Sequence, residues 1–264
     1  MGINNVFENI LRQILLDYVK EYNYKPDNIQ YRIVEDMIHE YTLLKPDLAS
    51  KEPEKVATLN IYNGVTVPPS NLHGRFVVLI NKPFLLKYIE QDNMTWVGTI
   101  VHETTHVKDF IEYADLIGAK DFEDIVDLGK HPLFQLWTES NARAKGYFFV
   151  RKYSFKNMYD TQQVPDILNI ELPKQIELLR NNLKATMDGF MQAYYLSHFI
   201  GRLYTLQRIF PQIFSNKMIQ NIFEKDIWLY EWYIFFSKHQ DLKSAYSDFE
   251  EFRSILLHQT IPCI

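Results

Sequence analysis

The sequence predicts a predominantly helical α+β fold with a small sheet of about three strands. Only 9 of the 264 residues are glycine, about half of the usual usage of roughly 7%, so few tight turns are expected. Apolar residues recur at helical spacing through most of the chain after Pro83, whereas β-branched runs are confined to residues 56–81. These observations predict a mixed front half and a helical back half.

The N-terminal region is expected to contain two helices. Apolar residues from Val6 to Tyr22 follow the i, i+3, i+4 spacing of an amphipathic helix. A second helix is expected from just after Pro26-Asp27 to about Tyr41. The following stretch, residues 44–55, contains two prolines and mixed charges and is expected to be a loop.

The β signal comes next along the chain. Residues 56–62 alternate in polarity, and Asn63-Gly64 is a dipeptide that favours the positive φ angles of a type I′ turn. Residues 65–67 can then return as the partner strand of a hairpin. A β-branched run at residues 75–81 predicts one well-buried strand.

The rest of the chain is expected to be helical and to belong to one domain. The expected helices lie near residues 83–91, 93–115, 132–153, 173–209, 217–238 and 241–258. No internal repeat or Gly/Ser linker marks a boundary, so a single domain over residues 1–264 is predicted, with a helical C-terminal subdomain at 163–264.

Composition narrows the possible functions. The formal net charge is −5, which disfavours nucleic acid as a partner because such binding depends on clustered Lys and Arg. The most apolar stretch, residues 227–236, is too short for the roughly 20 residues of a membrane-spanning helix. No secretory signal is recognised, so a cytoplasmic protein without a membrane partner is expected. The only cysteine is Cys263, so any metal must be held by histidine and carboxylate side chains.

One motif carries chemistry. Residues 102–106 read His-Glu-Thr-Thr-His within a predicted helix. Residues four apart lie one helical turn apart on the same face, so the imidazoles of His102 and His106 can converge on one ion. Glu103 is rotated by about 100° from His102 and can reach a water bound to that ion rather than the ion itself.

A third ligand must come from elsewhere, because catalytic zinc has three protein ligands plus water. Glu139 lies on a second predicted helix, among small residues that allow close helix packing. It is the preferred third ligand. Asp109, three residues after His106, could instead orient a ligand through a hydrogen bond or be a surface carboxylate.

These residues resemble those of the gluzincins, the zincin group that includes thermolysin. The resemblance covers about residues 75–150, within a metallopeptidase-like core at 56–153. It implies that Zn2+ is bound by His102, His106 and Glu139 and that Glu103 is the general base. It also implies that the strand near 76–81 is the sheet edge that aligns the substrate.

The chain also departs from related patterns. Glu139-x-x-Ala142 is similar to the signature of the ImmA/IrrE-like metallopeptidases, but Lys145-Gly146 replaces the Phe-Ala that usually follows. Arg143 stands where thermolysin has an Asp. Glu112 falls where metzincins place a third ligand, but Asp109 stands where those chains turn on a glycine.

A hydrolase of this kind needs a donor for the oxyanion of the tetrahedral intermediate. His198 is the candidate; the alternative is a histidine hydrogen-bonded in the core. Arg143, Tyr147 and Arg202 are further possibilities.

The predicted function is zinc-dependent hydrolysis of peptide bonds in a protein or peptide substrate, by an endopeptidase. Zinc-activated water would attack the scissile carbonyl group, with Glu103 as the general base. The alternative of a different class is a catalytically inactive, zincin-like binding or regulatory protein. A helical protein without metal is the third reading of the same residues.

Overall fold

The computed structural model describes residues 3–126, 130–223 and 227–257. The chain forms two compact units, Met1–Asp127 and Leu128–Ile264. Within the described residues the fold is predominantly helical, with one small sheet of three strands, which confirms the predicted fold class. The boundary between the units falls inside the predicted 56–153 core, between the segment that carries the histidine motif and the segment that carries Glu139.

The first unit contains the sheet and the helix that carries the motif. Its elements in chain order are α1 (Ile3–Tyr22), β1 (Ile29–Val34), α2 (Met37–Leu44), α3 (Pro46–Lys51), α4 (Pro53–Ala57), a 3₁₀ turn (Leu59–Ile61), β2 (Gly64–Val67), β3 (Phe76–Asn81), α5 (Lys82–Glu90), α6 (Thr95–Ile117) and α7 (Glu123–Val126).

The second unit is helical throughout its described residues. Its elements are α8 (Pro132–Ser154), a 3₁₀ turn (Thr161–Gln163), α9 (Val164–Asp166), a π-helical turn (Ile167–Glu171), α10 (Leu172–Ala185), α11 (Gly189–Ile209), α12 (Asn216–Phe223), α13 (Ile227–Lys238), α14 (Leu242–Ser247) and α15 (Phe249–Leu257). None of the described helices in either unit combines the length and apolarity required to cross a membrane.

The strand β3 is the centre of the sheet. The order is β1-β3-β2, with β1 parallel and β2 antiparallel to β3. All six residues of β3 are buried, as its continuous apolar, β-branched sequence predicts for a central strand. The expected strand at 75–81 is therefore confirmed, but the expectation that it forms the substrate-aligning edge is wrong, because both of its edges are already paired.

The predicted hairpin at residues 56–67 does not form. Residues before Asn63 belong to α4 and the 3₁₀ turn, and Gly64 begins β2 opposite Ile80 of β3. Pro53 provides the fixed φ angle favoured at a helix start. Val56 and Leu59, three residues apart, are then buried on one side in the core below the sheet. The alternation of polarity predicts a strand, but burial of Val56 and Leu59 on one side of a helical segment stabilises the helical conformation more.

The expected helix after Pro26-Asp27 is replaced by β1 and the shorter α2. Residues 29–34 extend along β3 in parallel register. The helix begins only at Met37, where Asp36 Oδ1 accepts hydrogen bonds from the backbone N–H groups of Ile38 and His39. This N-cap separates strand from helix, and the partner that makes β1 a strand lies more than 40 residues later in the chain.

Capping residues determine where two of the longer predicted helices begin or end. The segment expected as one helix at 173–209 is divided into α10 and α11, because Asp188 Oδ1 caps α11 by accepting from the N–H groups of Phe190 and Met191. The predicted helix over 93–115 is confirmed as α6, which ends at Gly118 in the left-handed conformation with φ of 62°.

Asn81 links the end of β3 to the turn that precedes β2. Its buried side-chain amide donates to the carbonyl oxygens of Asn60 and Tyr62, both at 3.1 Å. We expect Asn81→Ala to lower the free energy of unfolding by about 1–3 kcal/mol, because two buried hydrogen bonds are lost. Urea denaturation followed by circular dichroism measures this change.

Gln30→Ala on β1 is the matched control for that measurement. Gln30 is an exposed residue of the same sheet, so its replacement should change the free energy of unfolding by less than about 0.5 kcal/mol. Equal effects of the two substitutions would contradict the role given to Asn81.

Candidate metal centre

The two histidines of the motif converge within the first unit. The Nε2 atoms of His102 and His106 lie 3.0 Å apart, and the side chains are 8% and 6% exposed. Two nitrogens bound to one tetrahedral zinc at 2.0–2.1 Å would be separated by about 3.3 Å. The two nitrogens are therefore close enough to share one cation, as their spacing along a helix predicts, and the same distance suits a hydrogen bond between the two rings.

Glu103 points its carboxylate toward the sheet. Thr66 of β2 donates its hydroxyl hydrogen to Glu103 Oε2 at 2.8 Å, and Glu103 is 7% exposed. This hydrogen bond holds one oxygen of the Glu103 carboxylate in place.

A glycine allows β2 to approach the motif helix. A Cβ atom added to Gly64 would lie 2.8 Å from Thr99 Cγ2 and 3.1 Å from Glu103 Cγ. Real Cβ atoms do not tolerate the shorter of these contacts. The absence of a side chain at residue 64 therefore lets Thr66, two residues later, reach Glu103.

The two threonines inside the motif hold α6 in place. Thr104 and Thr105 donate to the carbonyl oxygens of Ile100 and Val101. Their hydroxyl oxygens therefore accept from Tyr31 at 2.7 Å and Tyr18 at 3.1 Å. Burial raises the pKa of both tyrosine hydroxyls, so both remain protonated donors.

Asp109 is fully buried. The alternative that it is a surface carboxylate is therefore wrong. Lys108 Nζ lies 3.9 Å from its Oδ1, and its predicted role in orienting a ligand stays a prediction. Glu112, the position a metzincin would use, is 41% exposed and accepts from Lys108 at 2.6 Å.

Glu139 takes part in a hydrogen-bond network of the second unit. Its Oε2 lies 2.9 Å from Nε2 of His198 on α11, and Arg143, one turn later on α8, places a guanidinium nitrogen 2.9 Å from His198 Nδ1. Since arginine can only donate, Nδ1 is the acceptor and Nε2 carries the hydrogen donated to Glu139. Burial, followed by the Arg143 charge, lowers the pKa of His198 to about 4, so the ring is neutral near pH 7.

The packing of α8 against α11 brings Glu139 and His198 together. Gly201 is three residues after His198, and a Cβ atom added to it would lie 2.4 Å from the Ser140 carbonyl oxygen and 3.0 Å from Ala144 N. Thr205, one turn further on, donates to the Ala144 carbonyl at 2.8 Å. The two helix backbones are therefore in near contact beside the Glu139 and His198 pair.

The second unit also contains a donor cluster that sequence reasoning missed. Ligand atoms of His239, Asp248 and Glu251 lie within 4.8 Å of one another. Asp248 and Glu251 are exposed, and His239 Nδ1 is 2.7 Å from Ser244 Oγ. No residue spacing typical of a metal site marks this cluster in the sequence.

Comparison of the chain with protein-family models, with curated proteins and with solved structures found no match. The resemblance to gluzincins and the assignment of residues 56–153 to a metallopeptidase-like core therefore stay predictions. The side-chain geometry within each unit is the basis on which a function can be proposed.

The close contact at Gly201 leads to a testable expectation. Gly201→Ala should lower the free energy of unfolding by about 1–3 kcal/mol, because the added methyl group must push α11 away from the α8 backbone. Thermal and urea denaturation measure the loss. Gly189→Ala, at the exposed start of the same helix, should change it by less than about 0.5 kcal/mol. A similar result for both variants would contradict the close packing.

Proposed function

We propose that this chain is a zinc-dependent peptidase with His102 and His106 as ligands and Glu103 as general base. The observation that carries the proposal is the 3.0 Å separation of the two Nε2 atoms, beside a carboxylate fixed by Thr66. Imidazole nitrogens with a carboxylate oxygen are the donor set of hydrolytic zinc sites. A zinc ion held there would lower the pKa of a bound water and polarise the scissile carbonyl group.

Glu139 is the proposed third ligand. Its carboxylate is 15% exposed, and its Oε2 is oriented by the His198 N–H at 2.9 Å. Hydrogen bonds of this kind commonly orient the carboxylates that bind metals. The other acidic candidates are less suitable: Glu112 is engaged by Lys108, and Asp109 lies on the same helix as both histidines.

Glu103 would move the proton in the proposed reaction. Its carboxylate would accept a proton from the attacking water and deliver it to the leaving amine, while its Oε2 keeps the hydrogen bond from Thr66. Glu103 is buried, and its hydrogen bond from Thr66 would hold the carboxylate on the side of α6 that faces β2. The positions of Thr104 and Thr105, fixed by Tyr31 and Tyr18, keep the helix from rotating away from the strand.

We further propose that a peptide substrate pairs with β2. This strand pairs only with β3 among the described residues, so its other edge offers backbone groups to an extended peptide. Because Thr66 of the same strand contacts Glu103, a peptide on this edge would lie beside the general base. The proposal includes a protein or peptide substrate and a cytoplasmic setting.

A catalytically inactive, zincin-like binding protein is the second candidate, and one observation favours it. The predicted oxyanion donors have other partners: both ring nitrogens of His198 are hydrogen-bonded, Arg143 donates to His198, and Tyr147 donates to Glu171. His198 would have to give up the Glu139 bond to donate to an oxyanion. Its predicted oxyanion role stays a prediction.

Glu103→Gln separates the two candidates. If Glu103 is the general base, the variant should retain stoichiometric zinc, measured by inductively coupled plasma mass spectrometry, while peptide hydrolysis falls by about 100- to 10,000-fold. A fluorogenic peptide library supplies the activity measurement. Glu112→Gln on the same helix is the control and should keep both properties. Zinc-loaded wild-type protein that hydrolyses no peptide would favour the binding protein instead.

Glu139→Ala tests the third ligand. We expect zinc affinity, measured by competition with a chelator, to fall by more than the roughly 10- to 100-fold loss caused by removing residues that only orient ligands. Asp109→Asn should have the smaller effect, and Glu177→Ala, at an exposed site on α10, should have none. Undiminished zinc in Glu139→Ala combined with loss in Asp109→Asn would transfer the ligand role to Asp109.

A further inference from the structure

A cavity of about 520 Å³ lies inside the second unit. Its walls come from α8, α10, α11, α12, α13 and the end of α15. The volume falls within the range of about 300–1,000 Å³ that is typical of small-molecule sites. The cavity does not include any of the residues proposed above to act in peptide hydrolysis.

One wall is an apolar helix face that the protein leaves incompletely buried. Ile176, Leu179 and Leu183 of α10 line the cavity at spacings of three and four residues. Such a stripe normally packs against the core, yet Leu172 is the only residue of α10 that is buried. The apolar face of α10 is therefore only half-buried where it borders the cavity.

A second wall is aromatic. Phe190, Phe223, Trp228 and Trp232 line it, and the rings of the two tryptophans stack at 27° with centroids 6.3 Å apart. Large, stiff rings lose little conformational entropy when a ligand binds, and they offer broad contact area to aliphatic groups.

The charge at the cavity has one sign. Arg180 and Lys184 line it, one helical turn apart on α10 and next to the apolar stripe. No acidic residue lines it among the described residues, and neither cation has an ion-pair partner in the part of the chain that the structure describes. Two like charges at i and i+4 repel each other slightly, so a bound anion would relieve that repulsion.

We propose that this cavity binds a single-chain anionic amphiphile. Its aliphatic chain would occupy the space between the α10 stripe and the aromatic wall, and its head group would meet Arg180 and Lys184 at the solvent-exposed side. A carboxylate and a phosphate monoester share the chemistry that the two cations recognise. This binding function goes beyond the proposed peptidase activity and does not depend on it.

Tryptophan quenching locates the ligand. Two of the four tryptophans of the chain line the cavity, and bromine quenches indole fluorescence only near contact. Titration of the full-length protein with 12-bromododecanoate, below its micelle concentration, should give saturable quenching. Replacing Trp228 and Trp232 by Phe should remove most of it, since Trp96 and Trp137 lie elsewhere. Quenching that persists in this double variant would overturn the proposed position.

Competing ligands of opposite charge test the proposed head-group site. Displacement of the brominated probe by dodecanoate or dodecyl phosphate should be at least ~10-fold more effective than displacement by dodecyltrimethylammonium, because only the anions can pair with Arg180 and Lys184. Preference for either anion supports the proposal and identifies the head group. Equal displacement by the cationic compound would overturn it.

Three variants keep the test decisive. Arg180→Glu/Lys184→Glu changes exposed positions and should invert the charge preference, whereas Lys174→Gln/Lys217→Gln, at exposed sites away from the cavity, should leave it unchanged. Ala193→Phe places a ring in the cavity and should abolish quenching with the helical circular dichroism signal retained. Unchanged charge preference after reversal would refute the proposed head-group site. These experiments measure ligand binding and neither zinc content nor peptide hydrolysis. A negative result would therefore not bear on the peptidase proposal.

Discussion

Burial of five consecutive polar residues in one helix is the constraint on which the first unit depends. Residues 102–106 of α6 are all buried, and each buried polar side chain must find a hydrogen-bond partner or destabilise the fold. Tyr18 of α1 and Tyr31 of β1 supply partners for the threonines, and Thr66 of β2 supplies one for Glu103. Three elements from different parts of the chain are therefore tied to one turn of helix.

The second unit meets a related constraint in a different way. Glu139 and His198 lie on two helices whose backbones touch at Gly201, and the orientation of the histidine follows from the fixed donor geometry of Arg143. Arg143 therefore contacts Glu139 indirectly, through the imidazole of His198. A neutral His198 transmits the position of Arg143 to Glu139 without adding a charge of its own.

Much of the helical architecture could be predicted because its signals are local. The periodicity of α6, its end at Gly118 and the buried run of β3 are all written in neighbouring residues, and so is the convergence of His102 with His106. The strand β1 could not be predicted in this way, because its extended form depends on pairing with β3 more than 40 residues away. The hairpin was predicted from a local signal, the turn-forming Asn63-Gly64. It does not form because Val56 and Leu59 are buried as part of a helical segment.

The side chains that contact the motif could not be predicted from the sequence either. Thr66, Tyr18 and Tyr31 have no spacing that connects them to the motif, because the sheet and helix packing alone bring them to it. The apolar residues around His198 set it apart in the sequence, but its hydrogen bond to Glu139 follows from the close packing of α8 against α11. Only a three-dimensional fold reveals which of several polar residues share a partner.

Gly64 limits which substitutions this part of the chain can tolerate. Because Gly64 has no Cβ atom, β2 lies close enough to α6 for the Glu103 carboxylate to reach the strand. A single added methyl group at position 64 would change that reach directly, although residue 64 is neither a ligand nor a proton donor.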